Sequence, residues 1–145
     1  MLKILIAEDN EMLGDLFEDY LSEVGFEVVG VARTVGDAID LAVSHRPDVA
    51  VVDYRMGGHL GTEIIRQLPA SSRPAILYLS GEPLARVLTK ADGEGFIQKP
   101  VSLHDLAKAL SVAWELRSNS PITSHPVPAG FFKLSIEPAM ERRSA

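Results

Sequence analysis

Short apolar runs alternate five times with segments of helical periodicity in the first 117 residues, and no other feature of the sequence constrains the fold as strongly. The apolar runs are LKILIA, FEVVGVA, DVAVVD, AILYLS and GFIQK. Continuous runs of this length, rich in β-branched residues, are typical of strands buried on both faces of a parallel sheet. The alternation therefore predicts an α/β fold in which right-handed crossovers place helices on both faces of a five-stranded sheet.

The segments between these runs carry helix signals. Apolar residues recur at helical spacing in EMLGDLFEDYLSEVG, and the next segment, TVGDAIDLAVSHRP, opens with the capping pair Thr34 and Asp37 and stops before Pro47. Shorter helices are predicted around GTEIIRQL and PLARVLTKA. A long helix is predicted over LHDLAKALSVAWELR, with Ser102 and Asp105 at its N-terminus.

The sequence changes character after residue 117. Residues 1–117 can bury one sizeable core, whereas residues 118–145 hold four of the nine prolines and no sustained helical period. We expect a single domain over 1–117 and a proline-containing C-terminal tail over 118–145 that lies outside it. This tail is too short for a helix-turn-helix unit with its own core, so no output domain is expected.

Composition excludes several classes of function. The net charge is −6, which leaves no broad basic surface for nucleic acid, and there is no cysteine for a disulfide, a thiolate metal site or a thiol nucleophile. No segment resembles a signal peptide or a membrane span. We expect a soluble cytoplasmic protein without direct contacts to nucleic acid or membrane.

Polar residues follow the predicted strands at the point where each strand ends. They are Glu8 and Asp9 after the first strand, Asp53 after the third, Ser80 after the fourth and Lys99 after the fifth. Because the carboxyl ends of parallel strands meet at one edge, these side chains are predicted to converge. Three adjacent carboxylates repel one another unless a cation neutralises them, and Mg²⁺ suits a site that combines carboxylates with a phosphate. The set fits phosphoryl transfer to a carboxylate.

Residues 1 to about 117 resemble a response-regulator receiver domain. The resemblance rests on AEDN after the first strand, VVDYRMGGHLG after the third, LSG after the fourth and KP after the fifth. It implies a flavodoxin-like, doubly wound sheet of strand order 2-1-3-4-5. It also implies a phosphoacceptor switch in a two-component or phosphorelay pathway, and not an enzyme acting on other substrates.

The resemblance assigns a role to each residue of the site. It makes Asp53 the phosphoacceptor, with Mg²⁺ held by the side chains of Asp9 and Asp53, by Glu8 largely through water, and by the backbone carbonyl of Arg55. Ser80 and Lys99 are expected to hold the phosphoryl oxygens, and Phe96 occupies the position of the switch aromatic. The implied partners are a sensor histidine kinase or histidine phosphotransfer protein and a downstream protein, and self-association as a homodimer is left open.

Two departures from the family pattern stand out. Gly57 replaces the proline that most often follows the methionine, which is expected to loosen the loop over the site. The interval from Ser80 to Lys99 is about three residues shorter than usual, which leaves little room for a full fourth helix. Since receivers commonly present the face of helix 4, strand 5 and helix 5 to partners, an unusual recognition surface is expected.

Arg55 and Glu82 flank the path by which water reaches the phosphoryl group in this family. An arginine and a glutamate at these positions can pair across the opening and hinder that water, although a pair so exposed is worth only about 0 to 1 kcal/mol. We therefore expect slow dephosphorylation.

Two other functions are compatible with parts of the sequence. Haloacid-dehalogenase phosphatases also form aspartyl phosphates with Mg²⁺, but their aspartate-x-aspartate motif is matched neither by AEDNE nor by VDYRM. The other is a binding module that kept the fold and lost phosphorylation. Such modules usually lack the acceptor, an acidic residue or the lysine, and all of these are present here.

The tail contains one segment with a strand pattern, GFFKLSIEP. Phe132, Leu134 and Ile136 alternate with polar residues between Gly130 and Pro138, as in a short amphipathic strand. An isolated strand cannot pair its backbone, so it is disordered unless it finds a surface. We expect it to dock on a groove of this domain, on a second copy or on a strand edge of a partner, and to assist association; the alternative is a solvated terminus or the stub of a longer linker.

Overall fold

The computed structural model describes residues 1–121 and 127–138, and a six-stranded sheet lies at their centre. The order of its strands is β2-β1-β3-β6-β7-β8. The strands are β1 (Lys3–Ala7), β2 (Glu27–Ala32), β3 (Val49–Asp53), β6 (Ala75–Ser80), β7 (Gly95–Gln98) and β8 (Phe131–Lys133). The first five are parallel and follow the order 2-1-3-4-5, which confirms the predicted fold. A two-residue antiparallel pair, β4 (Arg55–Met56) and β5 (His59–Leu60), stands apart from this sheet.

Four α-helices flank the sheet in the part of the chain that the structure describes, which also contains a short 3-10 helix, Ala70–Ser72. They are α1 (Glu11–Glu23), α2 (Val35–His45), α3 (Thr62–Gln67) and α4 (Leu103–Arg117). The predicted caps are present, since the side chains of Thr34 and Ser102 accept the N–H of Asp37 and of Asp105, each at 3.1 Å. None of the described helices combines the length and the apolar character that crossing a bilayer requires.

The two faces of the sheet bury separate apolar clusters. Along β1, Leu5 and Ala7 point into one cluster, and Ile4 and Ile6 into the other, all of them at most 1 % exposed. Strand β3, which is central, is buried at every position. This pattern accounts for the continuous apolar runs of the sequence, because a strand covered on both faces has no polar side.

The prediction of a helix around PLARVLTKA is wrong. Residues 81–94 connect β6 to β7 without an assigned helix, and only one helical turn forms, in which the N–H of Leu88 donates to the carbonyl of Leu84 at 2.9 Å. A turn then reverses the chain, because the N–H of Thr89 donates to Oδ2 of Asp92 at 3.0 Å and the N–H of Asp92 donates back to the carbonyl of Thr89 at 2.9 Å. In the short interval between Ser80 and Lys99, residues 89–92 therefore form a tight turn and do not extend the helical turn that begins at Leu84.

Part of the C-terminal tail belongs to the sheet, which differs from the expectation that it lies outside the domain. Strand β8 pairs antiparallel with β7, and Phe132 lies opposite Phe96. Leu134, the next residue after β8, is 1 % exposed and belongs to the cluster that contains Phe96. The rest of the predicted tail, at 122–126 and 139–145, lies outside the described residues.

Candidate functional site

Three carboxylates meet at the carboxyl-end edge of the sheet, as predicted. Glu8 and Asp9 follow β1, and Asp53 ends the neighbouring strand β3. One oxygen from each of them lies within 4.8 Å of the others. The parallel pairing of β1 with β3 therefore brings together residues that lie more than forty positions apart in the sequence.

Glu8 is the most buried member of this cluster, at 2 % exposure. The N–H of Asn10 donates to its Oε2 at 3.3 Å, while Oε1 is buried and has no hydrogen-bond partner among the described residues. Burial, together with the negative charge of Asp53, raises the pKa of Glu8 to about 7. A buried carboxylate with one unsatisfied oxygen is a candidate for binding a cation or an ordered water.

Asp9 is exposed and is held by the loop after β3. Its Oδ2 accepts the backbone N–H of Gly57 at 2.8 Å. Slight burial acts to raise the pKa of Asp9, but the neighbouring carboxyl group of Glu8 and the backbone N–H of Gly57 outweigh it, and the net pKa is lowered. Asp9 therefore remains negatively charged beside Glu8.

Gly57 binds the loop to the acidic cluster through its backbone. It adopts a φ of +58°, which proline cannot reach, and its N–H is the donor to Asp9, which proline lacks. The flanking strands β4 and β5 pair across this turn. The replacement of proline thus gives the loop a direct bond to the acidic cluster.

Lys99 supplies the positive charge of the site. Its Nζ lies 3.2 Å from Oδ1 of Asp53, and its backbone N–H donates to the carbonyl of Ser80 at 2.8 Å. The Lys99–Pro100 peptide bond is cis. Asp53, at 8 % exposure, therefore lies between the other two carboxylates and an ammonium group.

Ser80 lies at the same edge, but its hydroxyl bonds to the chain that follows it. Its Oγ donates to the carbonyl of Glu82 at 2.8 Å and accepts the N–H of Glu82 at 3.0 Å. The side chain of Glu82 pairs with Nε of Arg55 at 2.6 Å, and the guanidinium of Arg55 also lies over the ring of Tyr54 at 5.5 Å. The predicted pair of Arg55 with Glu82 therefore forms.

Comparison with known proteins identifies the family. The model of the response regulator receiver domain matches residues 4–111. The chain belongs to this family. Curated relatives include the transcriptional regulatory protein PdtaR of Mycobacterium tuberculosis, 28% identical over 77% of this chain and 56% of its own length, and the regulatory protein VirG of Agrobacterium tumefaciens, 32% identical over 80% and 45%. The chain thus spans about half the length of the curated relatives it matches.

Solved structures of receivers have the same fold. A receiver domain protein from Clostridium thermocellum has a TM-score of 0.71 at 22% identity, over 82% of this chain and 98% of its own. The chemotaxis response regulator CheY4 of Vibrio cholerae has a TM-score of 0.70 at 26% identity, over 78% of this chain and 98% of its own. Receivers serve two-component signalling and, as a family, interact with histidine kinases or phosphotransfer proteins.

In this receiver the donor set fits a hard divalent cation. Carboxylate oxygens are the ligands that Mg²⁺ prefers, and the unpartnered Oε1 of Glu8 lies in the cluster that contains Asp9 and Asp53. The backbone carbonyl of Arg55 as a further ligand stays a prediction.

Phe96 lies in β7, three residues before Lys99, and the receiver's own tail covers it. The ring is 1 % exposed and stacks on that of Phe132, with centroids 5.1 Å apart and planes inclined by 22°. Its role as a switch stays a prediction. The sequence predicted only that the tail docks on some surface, and it did not predict the stacking of Phe132 on Phe96.

Sequence reasoning missed two backbone contributions to the receiver's site. One is the N–H of Gly57 on Asp9. The other is Gly61, where a Cβ would lie 2.5 Å from the carbonyl oxygen of Asp53. The sequence shows the glycines of VVDYRMGGHLG. It does not show which acceptor a backbone N–H will bind, or which two backbone segments will come close together, because neither depends on a side chain.

Proposed function

We propose that this receiver accepts a phosphoryl group on Asp53 from a phosphohistidine of a sensor kinase or phosphotransfer protein. The observation that carries the proposal is the position of Asp53, whose Oδ1 is 3.2 Å from Nζ of Lys99 and whose carboxylate adjoins Glu8 and Asp9. A nucleophilic carboxylate between an ammonium group and an acidic cluster is suited to phosphoryl transfer.

The transfer replaces one bond to phosphorus by another. An oxygen of Asp53 attacks the phosphorus as the P–N bond to the donor imidazole breaks, and the electron pair of that bond stays on the imidazole nitrogen. The nitrogen then takes up a proton from solvent. Lys99 offsets the charge on the equatorial oxygens, because catalysis of such transfers rests on positioning and electrostatics.

Glu8, Asp9 and Asp53 are the residues that would hold Mg²⁺. The ion, when bound, neutralises charge on the carboxylates and on the phosphoryl oxygens. The hydrogen bond from Gly57 keeps Asp9 ionised and oriented toward the cluster.

The phosphorylated aspartate carries about −2 of charge and three acceptor oxygens. Lys99 already faces this position, and Ser80 can turn its hydroxyl from Glu82 toward the phosphoryl group. Such a change at the sheet edge is the signal that a downstream protein reads. The receiver modifies only its own carboxylate, so we propose that it is not an enzyme acting on other substrates.

Incubation with Mg²⁺ and a labelled small phosphodonor tests this function. We expect labelling of the wild type that needs Mg²⁺, and none of Asp53→Asn, which keeps the size of the side chain. Asp48→Asn, a change of a partly buried carboxylate that precedes β3 and accepts the N–H of Lys3, is the matched control and should label normally. Equal labelling of the wild type and Asp53→Asn would contradict the proposal.

The alternatives make different predictions in the same assay. A binding module without phosphorylation leaves all variants unlabelled while partner binding persists. A phosphatase turns over many equivalents of a phosphomonoester, whereas the receiver takes up at most one phosphoryl group per chain and releases it by hydrolysis. The acceptor, the acidic residues and the lysine are all present, which favours the phosphoacceptor.

A further inference from the structure

Residues 130–135, which we call the strap, occupy the edge of β7. Within the described chain, β8 is the neighbour of β7 on the side away from β6. The N–H of Gln98 donates to the carbonyl of Gly130 at 3.1 Å, and the N–H of Leu134 donates to the carbonyl of Glu94 at 3.0 Å. The strap thus pairs backbone groups in β7 and directly before it that an uncovered edge would offer to another strand.

The strap also covers side chains that this receiver would otherwise leave open. Phe132 stacks on Phe96, and Leu134 packs into the cluster that contains Leu84 and Leu88 from the connection lacking a helix. Phe131 fills the space over Gly95, where a Cβ would lie only 2.7 Å from its ring. Two successive aromatic rings therefore have dedicated positions on this edge.

The strap is a small element. Strand β8 has three residues, Phe132 is 46% exposed, and Ile136 just beyond it is 82% exposed. A short edge strand with partly exposed apolar side chains belongs to the part of a fold that opens most readily. A permanent cover has no need of so much exposed apolar surface.

Both ends of the strap are bonded to segments that lead directly from the phosphorylation site. Gln98, which holds Gly130, precedes Lys99, and Lys99 faces Asp53. At the other end, the N–H of Lys90 donates to the carbonyl of Ser135 at 2.7 Å. Lys90 lies in the connection over 81–94, which also contains Glu82, the residue whose backbone is bonded to the hydroxyl of Ser80.

These contacts carry a specific consequence of charging Asp53. New acceptor oxygens there attract the ammonium of Lys99 and the hydroxyl of Ser80, so the bonds of Ser80 to Glu82 are lost. We expect the two segments that hold the strap to shift with these side chains, which would break the hydrogen bonds that the strap makes with them. Packed contacts of this kind change between discrete arrangements and do not deform continuously.

We propose that the edge of β7 is a strand-accepting docking surface that the strap fills within the same chain and vacates when Asp53 is phosphorylated. The partner it fits is an extended segment of another protein with two successive large apolar residues, one over Gly95 and one over Phe96. Affinity comes from backbone pairing and specificity from the two ring positions. This inference rests on the proposed phosphoacceptor function of Asp53.

Hydrogen exchange on the full chain provides the first test, with beryllofluoride and Mg²⁺ as a stable analogue of the phosphoryl group. We expect the amides of Gln98, Leu134 and Lys90 to exchange faster in the charged protein, and those of β1 to be unchanged. Asp53→Asn should show no response. Unchanged exchange at the three amides, in protein whose Asp53 is shown to accept label, overturns the inference and leaves the proposed function intact; absence of label overturns both.

Gly95→Ala lifts the strap without touching the phosphorylation site, because its Cβ collides with the ring of Phe131. Gly36→Ala is the matched control, since a Cβ there meets no described atom within 4 Å. Coupling is reciprocal, so Gly95→Ala should bind beryllofluoride more tightly by about fivefold or more. Phe132→Ala, which removes one partly exposed ring, serves if Gly95→Ala does not fold. A lifted strap with unchanged affinity identifies a permanent structural cover and overturns the inference.

A labelled peptide with the sequence of residues 128–138 probes the vacated edge. We expect it to bind the charged full chain at least about fivefold more tightly than the uncharged one. Gly95→Ala should abolish this binding even though its own strap is lifted, because the added Cβ occupies the space over residue 95 that the first aromatic ring of the peptide needs. Equal binding to charged and uncharged protein, or unimpaired binding to Gly95→Ala, contradicts the proposed surface.

Discussion

The backbone N–H of Gly57 donates to Oδ2 of Asp9 across 2.8 Å and joins the loop after β3 to the acidic cluster after β1. Its φ of +58° belongs to the left-handed region, which most side chains avoid. The residue that departs from the family pattern therefore makes a contact that the usual proline cannot make.

Replacement of Gly57 should show that this position requires both a left-handed backbone conformation and a backbone N–H. Gly57→Ala keeps the N–H but strains the backbone, so we expect a loss of about 1 to 2 kcal/mol in the free energy of unfolding. Gly57→Pro also loses a hydrogen bond to a charged group, worth about 1.5 to 3 kcal/mol. Gly58→Ala, whose Cβ meets no described atom within 4 Å, should change stability by less than about 0.5 kcal/mol. Denaturant unfolding measures all three, and a proline variant as stable as the wild type contradicts this account.

Mg²⁺ should stabilise the folded receiver. Binding at 100 times the dissociation constant adds about 2.7 kcal/mol to the free energy of unfolding, since only the folded state brings Glu8, Asp9 and Asp53 together. Asp9→Asn should lose most of this gain, whereas Asp19→Asn, at an exposed position of α1, should keep it. Thermal unfolding with and without Mg²⁺ measures the effect. A gain of the same size in both variants would place the ion elsewhere.

The pair of Arg55 with Glu82 should slow the loss of the phosphoryl group. The two side chains are 66% and 43% exposed, so solvent screens their pairing and its effect on the rate should be small. Replacing both by alanine should therefore accelerate dephosphorylation by no more than about fivefold. Arg66→Ala, which breaks the ion pair with Asp92, is the control. Decay rates of labelled protein decide the matter, and an unchanged rate in the double variant discards the role of the pair.

Glu94 should give stability a recognisable dependence on pH. Burial raises the pKa of Glu94, although the N–H of Ile76 and the guanidinium of Arg117 partly oppose this. The folded state therefore binds the proton more tightly than the unfolded state, and stability from this group falls as pH rises from about 4.5 through the folded pKa.

Glu94→Gln removes this titration. The free energy of unfolding of the wild type minus that of the variant should decline with rising pH across that window. Glu27→Gln, at an exposed position of β2, is the control and should leave the decline in place. A difference that is flat or increases with pH contradicts the assigned direction.

The sequence predicted the site better than its surroundings, for a physical reason. The ends of buried parallel strands meet at one edge whatever connects them, so the convergence of Glu8, Asp9 and Asp53 followed from strand boundaries alone. The connection after Ser80 depended instead on a turn between Thr89 and Asp92, which is fixed by side-chain bonds that apolar periodicity does not report.

Periodicity also overstated two apolar faces. In α1 the helical spacing included Met12 and Leu16, yet Met12 is 82% and Leu16 48% exposed, and burial is concentrated in the turns that reach Phe17 and Leu21. In the tail the alternation was extended to Ile136, whereas pairing with β7 ends at Lys133, and among the described residues beyond it, 134–138, only Leu134 is buried. The apolar pattern of a sequence predicts whether a segment is a helix or a strand. How much of that segment is buried depends on the size of the surface it packs against.

The central claim is that Asp53 receives the phosphoryl group, and mapping of the modified residue tests it most directly. After incubation of the full chain with Mg²⁺ and a small phosphodonor, rapid digestion and mass spectrometry should find one phosphoryl group, on the peptide that contains Asp53, and Lys99→Ala should reduce its yield. A phosphoryl group found reproducibly on another residue, or none on Asp53 in protein that binds Mg²⁺, would contradict the account.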